Sequence, residues 1–246
     1  MKRFWLHQEQ ASGEYGYGQF TIKHLLLIAL TVIATAFVCV VYIDSDAQTR
    51  IIIRRTIGIT LMVIEVIKMI VLSKIDVKVS DYLPLEVCSF AAYFIVIDSF
   101  WLGNDILPQM LLTLFLPAAI MAVIFPTTTK LPAFNFFTIH QFVFHGLIIM
   151  YVFARFFALE IPLTYIGVWK SILIVLVLVA TIYFIDVKFN KNYMFLTDTF
   201  GNPLLKVVEE KSKNNIGYTL GLICFSTFMI HVFYFIFKLI EMVLLK

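Results

Sequence analysis

Charge is scarce in this sequence: 19 Lys and Arg stand against 16 Asp and Glu in 246 residues, 14% of the chain, roughly half the share of an ordinary soluble domain. The formal net charge of +3 is too small and too dispersed for a nucleic-acid-binding surface and fits contact with lipid headgroups at one face. Cysteine is rarer still. Cys39, Cys88 and Cys224 are too few and too scattered for a disulfide framework and fall inside apolar runs, so they read as free thiols. The first twenty residues, MKRFWLHQEQASGEYGYGQF, have no apolar core and no small-residue cleavage pattern, which predicts a retained tail rather than a removable signal peptide. GxSxG elbows, P-loops, GxGxxG turns and HxxxH or CxxC pairs are all missing, so no cofactor and no metal ligand set is expected.

What the chain has in abundance is hydrocarbon. Hydrophobic residues make up 61% and the mean hydropathy is +0.93, arranged in blocks of roughly 20 residues, the length that crosses a bilayer as a helix. The expected fold class is an all-α polytopic membrane helix bundle of about seven spans. They are 24–43, 51–72, 83–100, 106–125, 136–158, 166–187 and 217–245. No linker separates two domains, so residues 1–246 read as one integral membrane domain with a cytoplasmic tail at 1–22 and a cytoplasmic loop at 188–215. Lys2, Arg3, Lys23, Lys74, Lys78, Lys130, Lys188, Lys191, Lys206, Lys211 and Lys213 gather on one side. Arg50, Arg54, Arg55, Arg155, Lys170 and Lys246 fall on the other. The positive-inside rule then places the N-terminus in the cytoplasm. There is no internal repeat of the inverted-transporter kind.

The stretch LPLEVCSFAAYFIVID, residues 83–98, puts a carboxylate and a thiol at the start of the third span. A thiol attacks only as thiolate, and a low-dielectric site by itself opposes that form, so a reactive cysteine needs a base such as histidine. With the helix starting at Leu83 and Pro84 in its first turn, Cys88 falls in the second turn, where the helix dipole still favours a thiolate slightly. The alternative is a small packing residue, the reading given to Cys39 and Cys224. His145 lies nine residues into the fifth span, on the order of 13 Å deep. Gln141 shares its face, His140 is turned away, and Gly146 leaves room for a neighbour. An interhelical hydrogen bond would explain this imidazole equally well. Glu86 sits roughly 200° around the helix from Cys88, which argues against direct partnership; it reads either as an orienting or lipid-amine contact or as an acid at a helix N-terminus. His7, His24 and His231 read as interfacial or structural. Glu65 pairs most simply with Lys68, Arg54 and Arg55 can snorkel outward, and Asp98, Asn104 and Asp105 read as solvated residues at a span end.

The order of LPLEVCS at 83–89, FPTTTKLPAFNFF at 125–137, FHG at 144–146 and NKNYMFL at 190–196 resembles the bacterial YwaF-type integral membrane proteins, which are similar to the mammalian transmembrane protein 164 family. The resemblance covers the chain from about the second span to the NYMFL segment. It implies phospholipid acyltransferase chemistry, the movement of an acyl chain between glycerophospholipids without acyl-CoA, with Cys88 and His145 at the matching catalytic positions. A remoter likeness to androgen-induced membrane hydrolases implies ester hydrolysis as the alternative. A non-catalytic transporter or scaffold stands as a third reading, with Glu65 and Lys68 as its working groups. Under the acyltransferase reading the partners are membrane phospholipids and lysophospholipids. Gln141, Glu86, Asn192 and Tyr193 become substrate-binding candidates, and the site opens toward the cytoplasmic leaflet of the cell membrane. An interfacial aromatic role is the alternative for Tyr193.

Overall fold

The structure, a computed structural model, describes residues 2–197, 199, 203–212 and 214–246; Lys213 lies outside the described residues. The hydrophobic blocks fold as helices whose starts are set by side chains accepting the free N–H groups of a first turn. Thr21 caps α1 (Ile22–Asp44), Asp46 caps α2 (Ala47–Leu72) and Asn135 caps α6 (Phe136–Phe157). Thr164 caps α7 (Tyr165–Phe189) and Asn214 caps α9 (Asn215–Leu244). Between them lie α3 (Val87–Phe100), α4 (Ile106–Met110), α5 (Leu116–Ile124) and a short α8 (Pro203–Glu210). The chain leaves α7 through Asn190 in the left-handed region, φ 52°, which the short amide side chain tolerates.

The expected fourth span is continuous but not uniform. A π turn over Leu111–Phe115 joins α4 to α5. Pro117 has no N–H for the Thr113 carbonyl, and just before it the ladder widens, the Leu116 N–H bonding to the carbonyl of Leu111, five residues back. This widened segment and α6 form the middle of the bundle: α6 packs on α1, α2, α3 and α5, and the π turn packs on α3, α6 and α9. At Gly146 an added Cβ would stand 3.4 Å from Thr31, so the small residue noted in the sequence does let α1 approach closely.

Among the described residues, five helical segments are long and apolar enough to cross a membrane: Ile22–Asp44, Ile106–Ile124, Phe136–Phe157, Tyr165–Phe189 and Asn215–Leu244. The chain is therefore an all-α polytopic membrane bundle. The second and third expected spans differ from these. α2 carries Arg50, Arg54, Arg55, Glu65 and Lys68, and α3 has 14 residues because it begins at Val87, leaving Pro84 outside the helix.

The expectation that Arg54 snorkels and that Asp98 is an ordinary solvated end residue is overturned. Asp98 is 1% exposed and Arg54 8%. Tyr151 donates to Asp98 Oδ2 at 2.5 Å, Arg155 bonds the same oxygen, and Arg54 Nη2 donates to the Asp98 backbone carbonyl at 2.6 Å. Glu160 continues the network, accepting from Tyr42 at 2.6 Å and Arg50 at 3.2 Å. Asp98 therefore finds its partners on α2 and α6 inside the protein rather than in solvent. Replacing Asp98 by Ala removes the carboxylate that pairs with Arg155, accepts from Tyr151 and lies 3.5 Å from Arg54, and breaking a buried pair of this kind costs about 3–5 kcal/mol. Urea unfolding of the detergent-solubilised protein should register a loss of that size, and a change below about 1 kcal/mol would show the network to be dispensable.

Candidate functional site

At the opposite end of α2 and α3 the bundle opens into a cavity of about 110 Å³. Its wall draws Glu65 and Lys68 from α2, Glu86, Cys88 and Ser89 from the start of α3, Thr127 and Thr128 from the connection after α5, and His140, Gln141 and His145 from α6. The two catalytic candidates, far apart in sequence, thus border one space, and their helices are neighbours.

Cys88 lies closer to its helix start than the sequence suggested, as the second residue of α3, so the positive end of that helix acts on it more directly. Glu86 is the residue that caps α3, with an extended backbone at φ −75° and ψ 160° and no side-chain capping bond. It lies outside the helix, so the 200° offset does not apply, and its carboxylate faces the same cavity as the thiol. His145 holds its ring through Nδ1, which lies 2.7 Å from the carbonyl oxygen of Gln141. A carbonyl only accepts, so Nδ1 carries the proton and Nε2 is the unprotonated, basic nitrogen of the neutral ring. Gln141 donates through Nε2 to the Ala122 carbonyl at 3.0 Å, fixing α6 to α5. Cys88 and His145 are not hydrogen-bonded to each other among the described residues.

His140 corrects the expectation drawn from the helical wheel. The first turns of α6 are buried on more than one flank, and His140 reaches the same cavity from the side of α2. Its Nε2 stands 3.4 Å from Glu65 Oε2, without the alignment of a hydrogen bond, and its ring stacks on Phe144 with centroids 5.3 Å apart. Glu65 pairs with Lys68 at 2.5 Å as expected, and Ser89 Oγ lies 3.5 Å from the same carboxylate. Sequence reasoning left His140 and Glu65 outside the site; an acid in the middle of an apolar helix was the signal that could have included them.

Asn192 and Tyr193 are not part of the cavity wall. Tyr193 donates its hydroxyl to the Ser80 carbonyl at 2.6 Å and its N–H to Asp186 at 3.1 Å, while Asn192 Oδ1 accepts from the Thr197 N–H at 3.0 Å. Tyr193 and Lys191, whose ammonium bonds Asp81 and holds that carboxyl below its ordinary range, tie the end of α7 to the segment that leads into α3. Of the other histidines, His24 is fixed between the Phe20 N–H at 2.9 Å and the Val123 carbonyl at 3.0 Å, and His231 bonds the Thr227 carbonyl. His7 is the exception. With Gln8 it borders the cavity, because the N-terminal segment folds back over this end. Tyr17 and Gly18 bond the carbonyls of Leu131 and Thr129, and Asn135 bonds those of Arg3 and Leu6. Among the described residues, no three His, Cys, Asp or Glu side chains gather as ligands for a metal ion.

The chain matches the TMEM164 family over residues 19–237 and belongs to that family of integral membrane proteins. The match runs wider than the motifs that suggested it and takes in the first helix and most of the last. None of the curated proteins and none of the solved structures compared with it matches.

The covering tail makes the cavity testable. A Cβ on Gly16 would come within 2.6 Å of the Thr129 carbonyl oxygen, so Gly16→Val should push the tail away from the bundle. Alkylation of Cys88 by a small thiol reagent, followed by mass spectrometry, is expected to speed up in that variant while buried Cys39 stays slow. An unchanged rate at Cys88 would mean that the tail does not control access.

Proposed function

We propose that this TMEM164-family protein is a phospholipid acyltransferase that works without acyl-CoA, through Cys88 and His145. His145 Nε2 takes the thiol proton of Cys88, and the thiolate attacks an ester carbonyl of a phospholipid. The acyl–oxygen bond breaks, the leaving lysophospholipid oxygen receives the proton held on His145, and the acyl group remains on sulfur as a thioester. The hydroxyl of a second lysophospholipid then gives its proton to His145 and attacks the thioester, which forms the new ester and releases the thiolate. Lipid that fills the cavity and displaces its water favours the lipid acceptor over hydrolysis.

The observation that carries this reading is the shared cavity, in which a thiol at a helix start faces the same space as an imidazole whose Nδ1–H is already committed to the Gln141 carbonyl. Membership in the TMEM164 family is consistent with an acyltransferase-like role. In this account Glu86 and Gln141 form the polar wall that meets the glycerol and headgroup. Tyr193 acts at a distance, by holding the segment before α3, and Asn192 by shaping the turn that carries Tyr193.

The seven-span arrangement belongs to the same proposal. α2 presents Ile52, Ile59, Val63, Val66 and Ile70 on its exposed face while Arg54 and Glu65 are buried, the pattern of a span whose charges face protein and whose apolar face meets lipid. With the N-terminus in the cytoplasm, the cavity opens to the inner leaflet.

Purified protein given an isotopically labelled phospholipid and an unlabelled lysophospholipid should produce a new labelled diacyl species. Cys88→Ala and His145→Ala should each lower that rate by roughly 100-fold to 10,000-fold. Labelled free fatty acid in place of the diacyl product, with or without acceptor, would make the protein a hydrolase. Full transfer by Cys88→Ala would end the thiol mechanism.

A further inference from the structure

A second cavity, of about 400 Å³, lies between α2 and α3 on the outside of the bundle. Met62, Val66, Met69 and Ile70 form its α2 wall, and Pro84 and Tyr93 the other. Its polar atoms are largely spoken for: the Tyr93 hydroxyl donates to the Pro84 carbonyl at 2.8 Å and Ser73 Oγ donates to the Ile70 carbonyl at 2.7 Å. Val66 and Ile70 keep more than half of their area exposed on the outer face, so the groove opens where lipid tails would surround the protein. Its inner limit is Glu65, and Glu65 also lines the polar cavity with Cys88 and His145.

Two adjoining spaces of opposite character that meet at one residue match a molecule with one apolar and one polar part joined at an ester. We infer that the groove between α2 and α3 is the port for the acyl chain of the donor glycerophospholipid. The chain lies along Met62, Val66 and Met69, and the ester passes beside Glu65 into the cavity. This inference rests on the proposed Cys88 chemistry for its direction, since it is the ester that must reach sulfur. Moving a chain from lipid into an apolar groove brings little hydrophobic gain, because both surroundings are hydrocarbon. Selection therefore comes from shape, and the two flexible methionines let chains of different unsaturation fit.

The full-length protein in phosphatidylcholine liposomes, doped with a phosphatidylcholine carrying a diazirine in its acyl chain, is irradiated, digested and read by mass spectrometry. Adducts should be enriched severalfold on residues 62–73 and 79–93 over the lipid-exposed faces of α1 and α9, in wild type and in Cys88→Ala alike. Val66→Trp, which fills the groove, should remove the enrichment while leaving alkylation of Cys88 by a small thiol reagent unchanged. Adducts spread evenly over α1, α2 and α9, or enrichment that survives Val66→Trp, would overturn the port, as would a protein partner found seated in the groove. Enrichment without any acyl transfer would leave the groove standing and remove the chemistry; transfer with even adducts would do the reverse.

Discussion

A carboxylate carried into the interior of an apolar bundle has to be met by the protein, and Glu65 is met from three helices. Lys68 approaches from its own helix at 2.5 Å, His140 from α6 at 3.4 Å and Ser89 from α3 at 3.5 Å. A buried ion pair of this kind adds little net stability compared with well-packed hydrocarbon, but leaving either partner alone is expensive. Its consequence is register. Lys68 travels with Glu65 on α2, so register rests on the side chains that reach the carboxylate from the other helices, Ser89 of α3 and His140 of α6, which bring the start of α3 and the first half of α6 to one level. Cys88 and His145 ride on those two segments.

The same constraint divides the space around it. On one side of Glu65 the walls are polar, with histidines, a glutamine, a second glutamate and a thiol; on the other they are methionine, valine and isoleucine. The opposite end of the bundle repeats the device with Asp98, Arg54, Arg155 and Tyr151, all of them buried. One buried network locks the helices, and the other locks them around a space. The proposed mechanism needs one nitrogen of His145 free of a proton. The bond from Nδ1 to the Gln141 carbonyl decides this through the backbone of α6 itself, so the basic nitrogen is preset without another side chain.

Much of the fold was legible because hydrocarbon crossing length is a property of the sequence: α1, α6, α7 and α9 begin and end within a few residues of the apolar blocks. α3 was read too long, since Leu83, Pro84 and Leu85 are apolar yet precede the helix, and periodicity does not register that Glu86 is the cap. That error carried over to Glu86, whose direction was computed on a helix it does not belong to. His140 and Asp98 were misread for a different reason. Their surroundings are made by other helices, Glu65 of α2 in one instance and Arg155 of α6 in the other, and a wheel drawn for a single helix contains neither partner. Cys88, His145 and Gln141 stand out in the sequence because a thiol, an imidazole and an amide are unusual inside apolar runs, and the fold sets all three on one cavity. Asn192 and Tyr193 are candidates only through the NKNYMFL segment of the family resemblance, and they lie outside that cavity wall.

The central claim is that an acyl group passes through the sulfur of Cys88. Intact-protein mass spectrometry after incubation with phospholipid and no acceptor tests it most directly. The account predicts one added acyl mass on Cys88, released by neutral hydroxylamine, discharged by added lysophospholipid and missing from Cys88→Ala. Acyl transfer that proceeds with no adduct on Cys88 at any time, or equally fast in Cys88→Ala, would contradict it.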